Sequence, residues 1–334
     1  MSHGISNERC FVYGLQGQGN DWHGLTIEKP APLTRELFPL MEETELQTKG
    51  GLVLPWRVLL AKDDGKPCGA PFNPKSFGYI LPQQAWDMVM GALAGTKFSV
   101  ERVGMLWDRS FWFVSVSLDE LKEIAREGEM FRLNFSGGLD GNDSPQGELS
   151  HIRAVCWNTI SASRNTGEYL FKIRQTIHSK DKLADAKKEV EKAVGLAALF
   201  NKTLGQLEAE PCKVKTARFA YAGNLAQHNA DFTIGTAKDG LPKENRARNT
   251  VNELMDLFTN GDGNTGETRA DLLNGFTQYF TRGRKDSKRN KWSILASSEF
   301  GGNADRKAEF LECLTDTNKW KAMVEAGENA LALT

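Results

Sequence analysis

Residues 100–118 indicate the fold class most directly, because their large side chains recur at every second position. Val103, Met105 and Trp107 form one such run, and a second run begins at Phe111. A repeat of two residues is the period of a β-strand. The polar triplet Asp108-Arg109-Ser110 between the runs is typical of a turn. This stretch therefore predicts a hairpin of two strands.

Helical spacing occurs on both sides of the hairpin. Apolar residues recur every three to four positions at 83–93 and over most of 169–207, and Pro211 ends the second pattern. Alternation predicts two further strands, at 130–135 and 152–156. Additional helices are predicted at 33–46, 244–258, 268–280, 303–314 and 318–331.

These patterns predict an α+β fold, in which β-hairpins pack with helices and a mostly helical C-terminal part follows. At 334 residues the chain exceeds the usual size of one domain. We divide it into an irregular N-terminal segment (1–50), an α+β core (51–210) and a mostly helical C-terminal region (211–334).

Composition indicates the cellular compartment in which the protein is expected. The five cysteines are widely spaced and form no Cys-x-x-Cys pair, so neither a disulfide framework nor a structural zinc site is expected. The N-terminus lacks the basic and apolar regions of a signal peptide. No uncharged apolar run approaches the ~18 residues that a membrane span requires. We expect a cytoplasmic protein with no membrane partner.

Local motifs for catalysis are absent. No histidine pair has metal-ligand spacing, and neither a phosphate-binding Gly-x-x-x-x-Gly-Lys-Ser/Thr loop nor a Gly-x-Ser-x-Gly elbow occurs. We therefore assign no catalytic residue and no metal ligand, and expect a role other than catalysis. Asp140 and Asp143 leave one alternative open, because two carboxylates can hold Mg²⁺ with few protein ligands.

Positive charge is segregated along the chain. Residues 153–218 contain 13 Lys or Arg against 7 Asp or Glu, in a chain whose net charge is −1. Residues 282–291 contain 6 against 1. Such groups donate to phosphate oxygens without reading sequence, and the aromatic rings of Trp107, Phe111, Trp112 and Trp157 could stack on unpaired bases. The predicted nucleic-acid-binding residues are Arg153, Arg164, Lys172, Arg174, His178, Lys180, Lys182, Arg282, Arg284, Lys285, Lys288 and Arg289.

Three sequence blocks carry a family resemblance. They are Asp140-Gly141, the stretch Arg153-Ala-Val-Cys156-Trp-Asn158-Thr159, and Arg174 with His178 at the start of a long helix. Together with Trp22-His23 and a C-terminal Phe300-Gly301 with Lys307, they resemble the phage- and plasmid-borne family catalogued as domain of unknown function 932. Thr281-Arg282 stands where members often have Asp-His, which weakens a shared metal site at that position.

The resemblance implies a genetic setting more than a mechanism. Proteins on phages and plasmids commonly process single strands or block host defences. The predicted order of hairpins and helices is compatible with the core of single-strand annealing recombinases. We expect a DNA-binding accessory protein that binds and anneals single-stranded DNA as a homo-oligomer, with no required cofactor and with Mg²⁺ as a modulator. The alternatives are a factor that binds a host defence protein and a Mg²⁺-dependent nuclease using Asp140 and Asp143.

Overall fold

A computed structural model describes most of the chain. The described residues are 9–14, 21–22, 25–26, 32–141, 143–153, 158–162, 170–173, 175, 186–233, 245–282 and 297–332. They contain eleven strands, numbered here in chain order: β1 (Phe11–Gly14), β2 (Asp21–Trp22), β3 (Leu25–Thr26), β4 (Met41–Gln47), β5 (Val53–Ala61), β6 (Phe98–Leu106), β7 (Phe111–Leu118), β8 (Glu129–Gly138), β9 (Gln146–Arg153), β10 (Asn158–Ser161) and β11 (Phe171–Lys172).

One antiparallel sheet organises these strands. Its order is β1-β6-β7-β8-β9-β10, and β11 pairs with the start of β9. The predicted hairpin of residues 100–118 is confirmed as β6 and β7, with Val103 opposite Val114. The strand predicted at 130–135 lies in β8, which extends to Gly138. Of the strand predicted at 152–156, residues 152–153 end β9, which begins at Gln146, and residues 154–156 lie outside the described residues.

The prediction of a helix at 33–46 is wrong. This stretch forms a short 3-10 helix at Arg35–Leu37 and then strand β4, which pairs with β5. Pro39 explains the difference, because proline disfavours helical backbone in the residue before it. Phe38 is accordingly extended, with a ψ of 135°. The spacing of Leu33, Leu37 and Met41 imitates a helix that the proline interrupts.

Eight α-helices of the described part are numbered here. The helix α1 (Pro82–Ala92) begins with a proline at a position where no hydrogen bond is lost. The remaining helices are α2 (Asp119–Ile124), α3 (Ala186–Ala209), α4 (Val214–Gln227), α5 (Arg246–Asn260), α6 (Arg269–Arg282), α7 (Gly302–Thr315) and α8 (Thr317–Ala332). The α+β class, with a mostly helical C-terminal region, is thus confirmed. None of the described helices is long and apolar enough to cross a membrane.

The main hydrophobic core joins the sheet to the helices. One sheet face contributes buried side chains that include Trp112, Val114, Leu133 and Phe135. Helix α3 packs against this face, where its Phe200 ring meets the Phe131 ring edge-on at 6.3 Å. The core continues into the helical region through the stacked rings of Phe276 and Phe310, 4.0 Å apart.

Helix α4 was not predicted, because its apolar residues do not follow one face. It is buried from several sides, and two glycines allow its backbone to touch that of α8. A methyl group on Gly223 would lie 1.8 Å from the carbonyl oxygen of Met323, and one on Gly327 would lie 1.8 Å from that of Phe219. These two helices therefore cross at a distance that only glycine permits.

We predict that Gly223→Ala lowers the free energy of unfolding by about 2–3 kcal/mol, because the added methyl group forces two helix backbones apart. Gly195→Ala is the matched control, since Gly195 lies in α3 with no atom near its substitution point. It should be neutral or stabilise by up to about 1 kcal/mol. Urea unfolding measures the free energy of unfolding of both variants. Equal changes in the two variants would contradict the close crossing of α4 and α8.

Candidate functional site

The sheet face opposite α3 carries polar side chains that are nevertheless buried. Ser115 on β7, Asn134 on β8 and Ser150 on β9 form a hydrogen-bonded row across three strands, in which Ser115 lies opposite Asn134 and Ser150 lies diagonally across from it. The Ser115 hydroxyl donates to Asn134 Oδ1 at 2.6 Å, and Asn134 Nδ2 donates to Ser150 Oγ at 2.8 Å. Since buried polar groups require partners, this row fixes the relative position of the three strands.

Two ion pairs lie on the same polar face. Arg132 pairs with Glu101, and Arg102 Nη1 lies 3.3 Å from Glu299 Oε1. All four residues are buried. Burial, and then the nearby positive charge of Arg102, lower the pKa of Arg132 to about 10, against the opposing effect of the Glu101 and Glu299 carboxylates. The guanidinium thus stays charged near neutral pH, and the pairs offset the cost of burying charge.

Glu299 belongs to a C-terminal segment that packs on this face. The neighbouring Phe300 ring lies 5.3 Å from Phe111 and 5.1 Å from Phe113, between ring centroids. Lys307 of α7 is fully buried, and its Nζ donates to Ser298 Oγ at 2.9 Å. The C-terminal block of the resemblance therefore lies against the polar face of the sheet.

The other residues of the resemblance are more dispersed. Asp140 and Gly141 lie at the turn after β8, whereas Arg153 ends β9. Asn158 and Thr159 begin β10, which pairs with β9, and Trp22 lies in β2. His23 and Cys156 lie outside the described residues.

Most of the predicted nucleic-acid-binding residues are also outside the described part. Arg153 and Lys172 are described, and they stand at opposite ends of β9, because Lys172 pairs with Gln146. The structure therefore does not bring these two together. Arg282 ends α6, but its side chain is not described. The residues that fall outside are Arg164, Arg174, His178, Lys180, Lys182, Arg284, Lys285, Lys288 and Arg289.

Arg153 lines a cleft between the sheet edge and helices α3 and α6. Its Nη2 donates to the carbonyl oxygen of Gly263 at 3.0 Å. His151 shares the cleft, and its Nε2 lies 2.9 Å from Glu129 Oε2, although the ring nitrogen is not aligned as a hydrogen bond. Arg126 Nε reaches the same Glu129 carboxylate at 3.1 Å.

Charges in this cleft largely neutralise one another. Burial opposes ionisation of Glu129, but the neighbouring His151 and Arg126 outweigh it and hold the pKa of that carboxyl below its usual value. Arg126 is itself shared between Glu129 and Glu208. The cleft is thus an ion-paired junction of sheet and helices. Among the described residues, no group of three His, Cys, Asp or Glu side chains could hold a metal ion.

Burial contradicts the expected base-stacking role for Trp112 and Phe111, whereas Trp107 is only half-buried. Trp112 and Phe111 are fully buried, and Trp107 packs edge-on against Phe111 at 4.7 Å. The alternation was interpreted correctly as strand, but both faces of β7 are buried. Trp157 lies outside the described residues.

A group of exposed cations at the start of α4 was not singled out from sequence. Lys213, Lys215 and Arg218 are all exposed and lie within about one and a half helical turns. We call these three residues the basic elbow. They belong to the positively charged stretch 153–218, but they follow Pro211, where the predicted helix ends. Their positive charge was the sequence signal that could have identified them.

The nearby carboxylates do not neutralise the basic elbow. Glu210 lies 2.7 Å from Arg269 Nη1, and Glu208 lies 2.9 Å from Arg126 Nη1. Each is therefore engaged by an arginine from another element. Arg218 donates to the neutral amide of Asn252 at 2.9 Å, so that contact leaves its charge uncompensated.

We predict that Arg132→Met lowers the free energy of unfolding by about 3–5 kcal/mol, because it leaves the Glu101 carboxylate buried without its cation. Lys122→Met is the control. It breaks an exposed pair with Asp119 and should cost less than about 1 kcal/mol. Urea unfolding compares the two, and similar losses would show that the buried pair does not hold the sheet.

We predict that the free energy of unfolding depends on pH through the ionisation of Glu129. Its folded pKa lies below its ordinary value of 4.5, so its stabilising contribution is complete above that pH and is lost as the pH falls through the folded pKa. The difference in unfolding free energy between the wild type and Glu129→Gln should therefore narrow from pH 7 to about pH 3. If this difference in unfolding free energy stayed constant with pH, it would contradict the pairing of Glu129 with His151 and Arg126.

Comparison with known proteins gives one match. The family described as a domain of unknown function, DUF932, matches residues 74–312, which is more than half of the chain and begins after the Trp22-His23 element. The match includes strands β6 to β11, the buried ion pairs and the basic elbow. No curated protein and no solved structure matches the chain at a significant level. The chain belongs to the DUF932 family.

Proposed function

We propose that this protein binds the backbone of single-stranded DNA and acts as an annealing or recombination accessory of a phage or plasmid. The observation that carries the proposal is the basic elbow, in which three cations are exposed while the adjacent carboxylates are engaged elsewhere. Phosphate oxygens are the natural acceptors for such a group.

The surroundings of the basic elbow support binding to a polyanion. Lys202 is exposed on the preceding helix, α3, and so adds to the same positive stretch of chain. Lys215 Nζ lies 5.4 Å from the centre of the Phe219 ring, which orients the lysine without neutralising it. Backbone contacts of this kind bind DNA without reading its sequence.

A homo-oligomer is part of the proposal, because annealing proteins usually assemble. The β4–β5 hairpin supports it, since Leu52, Val53 and Trp56 are exposed on this hairpin. A two-stranded hairpin is only marginally stable in water on its own. Contact with a second copy would cover these side chains.

We predict that reversing the basic elbow, with Lys213→Glu, Lys215→Glu and Arg218→Glu, weakens binding to a labelled single-stranded oligonucleotide by at least about tenfold. The dependence of affinity on salt should also become shallower, because fewer counterions are released. Fluorescence anisotropy at several salt concentrations measures both.

The control reverses three exposed lysines outside the positive stretches, with Lys62→Glu, Lys75→Glu and Lys122→Glu. The net charge changes equally, so a specific surface predicts that this control binds nearly as the wild type. Equal weakening would indicate a response to net charge alone. No binding by the wild type at low salt would refute the function. If oligonucleotide binding is lost only in the double variant Arg174→Ala plus Lys180→Ala, the DNA-binding surface lies at the residues predicted from sequence and not at the basic elbow.

A further inference from the structure

The far end of the β4–β5 hairpin carries exposed apolar side chains. Leu52 precedes β5 and is 67% exposed, and Val53 and Trp56 lie on β5, where Trp56 is 45% exposed. Nearer its base the hairpin is attached to the chain, because Arg57 and Phe72 exchange backbone hydrogen bonds at 2.9 and 2.8 Å. The apolar end of the hairpin lies beyond this attachment and faces solvent.

Helix α3 exposes a second surface, on the side turned away from the core. Its exposed residues recur every three to four positions, so they share one face of the helix. We call them the α3 stripe: Lys192, Gly195, Leu199, Lys202 and Gln206. Leu199, at the centre, is 51% exposed, and a carbon added to Gly195 would meet no atom within 4 Å. The centre of the α3 stripe is thus open and apolar, with a lysine on each side.

The hairpin and the α3 stripe are opposite in charge. Strand β4 contains Glu42, Glu43 and Glu45 and no Lys or Arg. Residues 192–207 contain two lysines and no Asp or Glu. An apolar surface beside carboxylates and an apolar surface beside lysines are complementary in an interface.

The cations of the hairpin offset only part of the charge of β4. Lys62 lies 3.4 Å from Glu42. Arg57 is shared, at 3.0 Å from Glu43 and 4.0 Å from Glu45. Water screens these pairs, because all five side chains are more than 40% exposed. Two cations therefore face three carboxylates, and the hairpin keeps negative charge for a partner.

A second copy of the chain is the partner that fits both surfaces. Each surface is exposed in the same chain, so neither covers the other there. Strand β4 pairs with β5 and with no other strand of the described part. Pairing of β4 with β4 of a second copy would bring glutamates together, which is unfavourable. The α3 stripe of a second copy offers lysines instead.

We propose that the β4–β5 hairpin of one copy lies on the α3 stripe of the next, with Trp56 against the surface formed by Gly195 and Leu199. The contact uses different surfaces on the two copies, so it repeats head to tail and builds a ring or a filament. This inference rests on the homo-oligomer of the proposed function and specifies its interface. The basic elbow stays uncovered, so one DNA strand can pass from copy to copy.

We predict that Trp56→Glu and Leu199→Glu each shift assembly to protein concentrations at least about tenfold higher, because each places a charge at the apolar centre of the contact. Val214→Glu is the matched control, since Val214 is exposed on α4 and lies outside both surfaces. It should assemble as the wild type does. Sedimentation velocity of the full-length protein without DNA measures assembly, and circular dichroism establishes that each variant is folded.

A mixture of the two variants distinguishes a head-to-tail contact from a symmetric one. Trp56→Glu keeps an intact α3 stripe and Leu199→Glu keeps an intact hairpin, so together they should form a heterodimer and nothing larger. If Trp56→Glu does not fold, Val53→Glu takes its place, because Val53 is also exposed on the hairpin.

A wild type that stays monomeric, folded variants that assemble as the wild type does, a control that loses assembly as strongly, or a mixture without heterodimer would overturn the interface. These samples contain no DNA, so their results are independent of the oligonucleotide binding that tests the basic elbow.

Discussion

The burial of charge on one face of the sheet constrains the rest of this structure. Arg132 and Arg102 cannot be buried alone, so Glu101 and Glu299 must accompany them. Glu101 comes from the sheet itself, whereas Glu299 comes from the segment before α7. The sheet therefore requires the C-terminal segment in place, and Phe300 packs beside the same contact. The residues that form these contacts all lie inside the family match.

The two sheet faces have different roles as a result. The face against α3 contributes to the main hydrophobic core and connects to the helical region. The polar face holds its groups through hydrogen bonds and ion pairs. Because the sheet is thus occupied on both sides, we propose that any DNA-binding surface lies on the helices that flank it. The basic elbow at the start of α4 is the part of this proposed surface that lies among the described residues.

The accuracy of sequence reasoning followed the strength of each local pattern. Alternation at 100–118 predicted β6 and β7, since a period of two is specific to strands. It could not predict that Phe111 and Trp112 are both buried, because covering of the second face depends on Phe300, far away in the chain. The helix at 33–46 failed because Pro39 breaks a spacing that otherwise appears helical. Helix α4 was missed because a helix buried from several sides has no single apolar stripe.

The basic elbow was predicted even less fully, because it too depends on contacts between residues that are far apart in the chain. Charge counting located residues 153–218, but ion pairs such as Glu210 with Arg269 determine which carboxylates still oppose that charge. The most direct test of the proposed DNA-binding surface is lysine acetylation, followed by mass spectrometry, with and without a single-stranded oligonucleotide. Our account predicts that DNA protects Lys213 and Lys215, while Lys62, Lys75 and Lys122 are modified equally in both samples. Unprotected Lys213 and Lys215 under saturating oligonucleotide would contradict it.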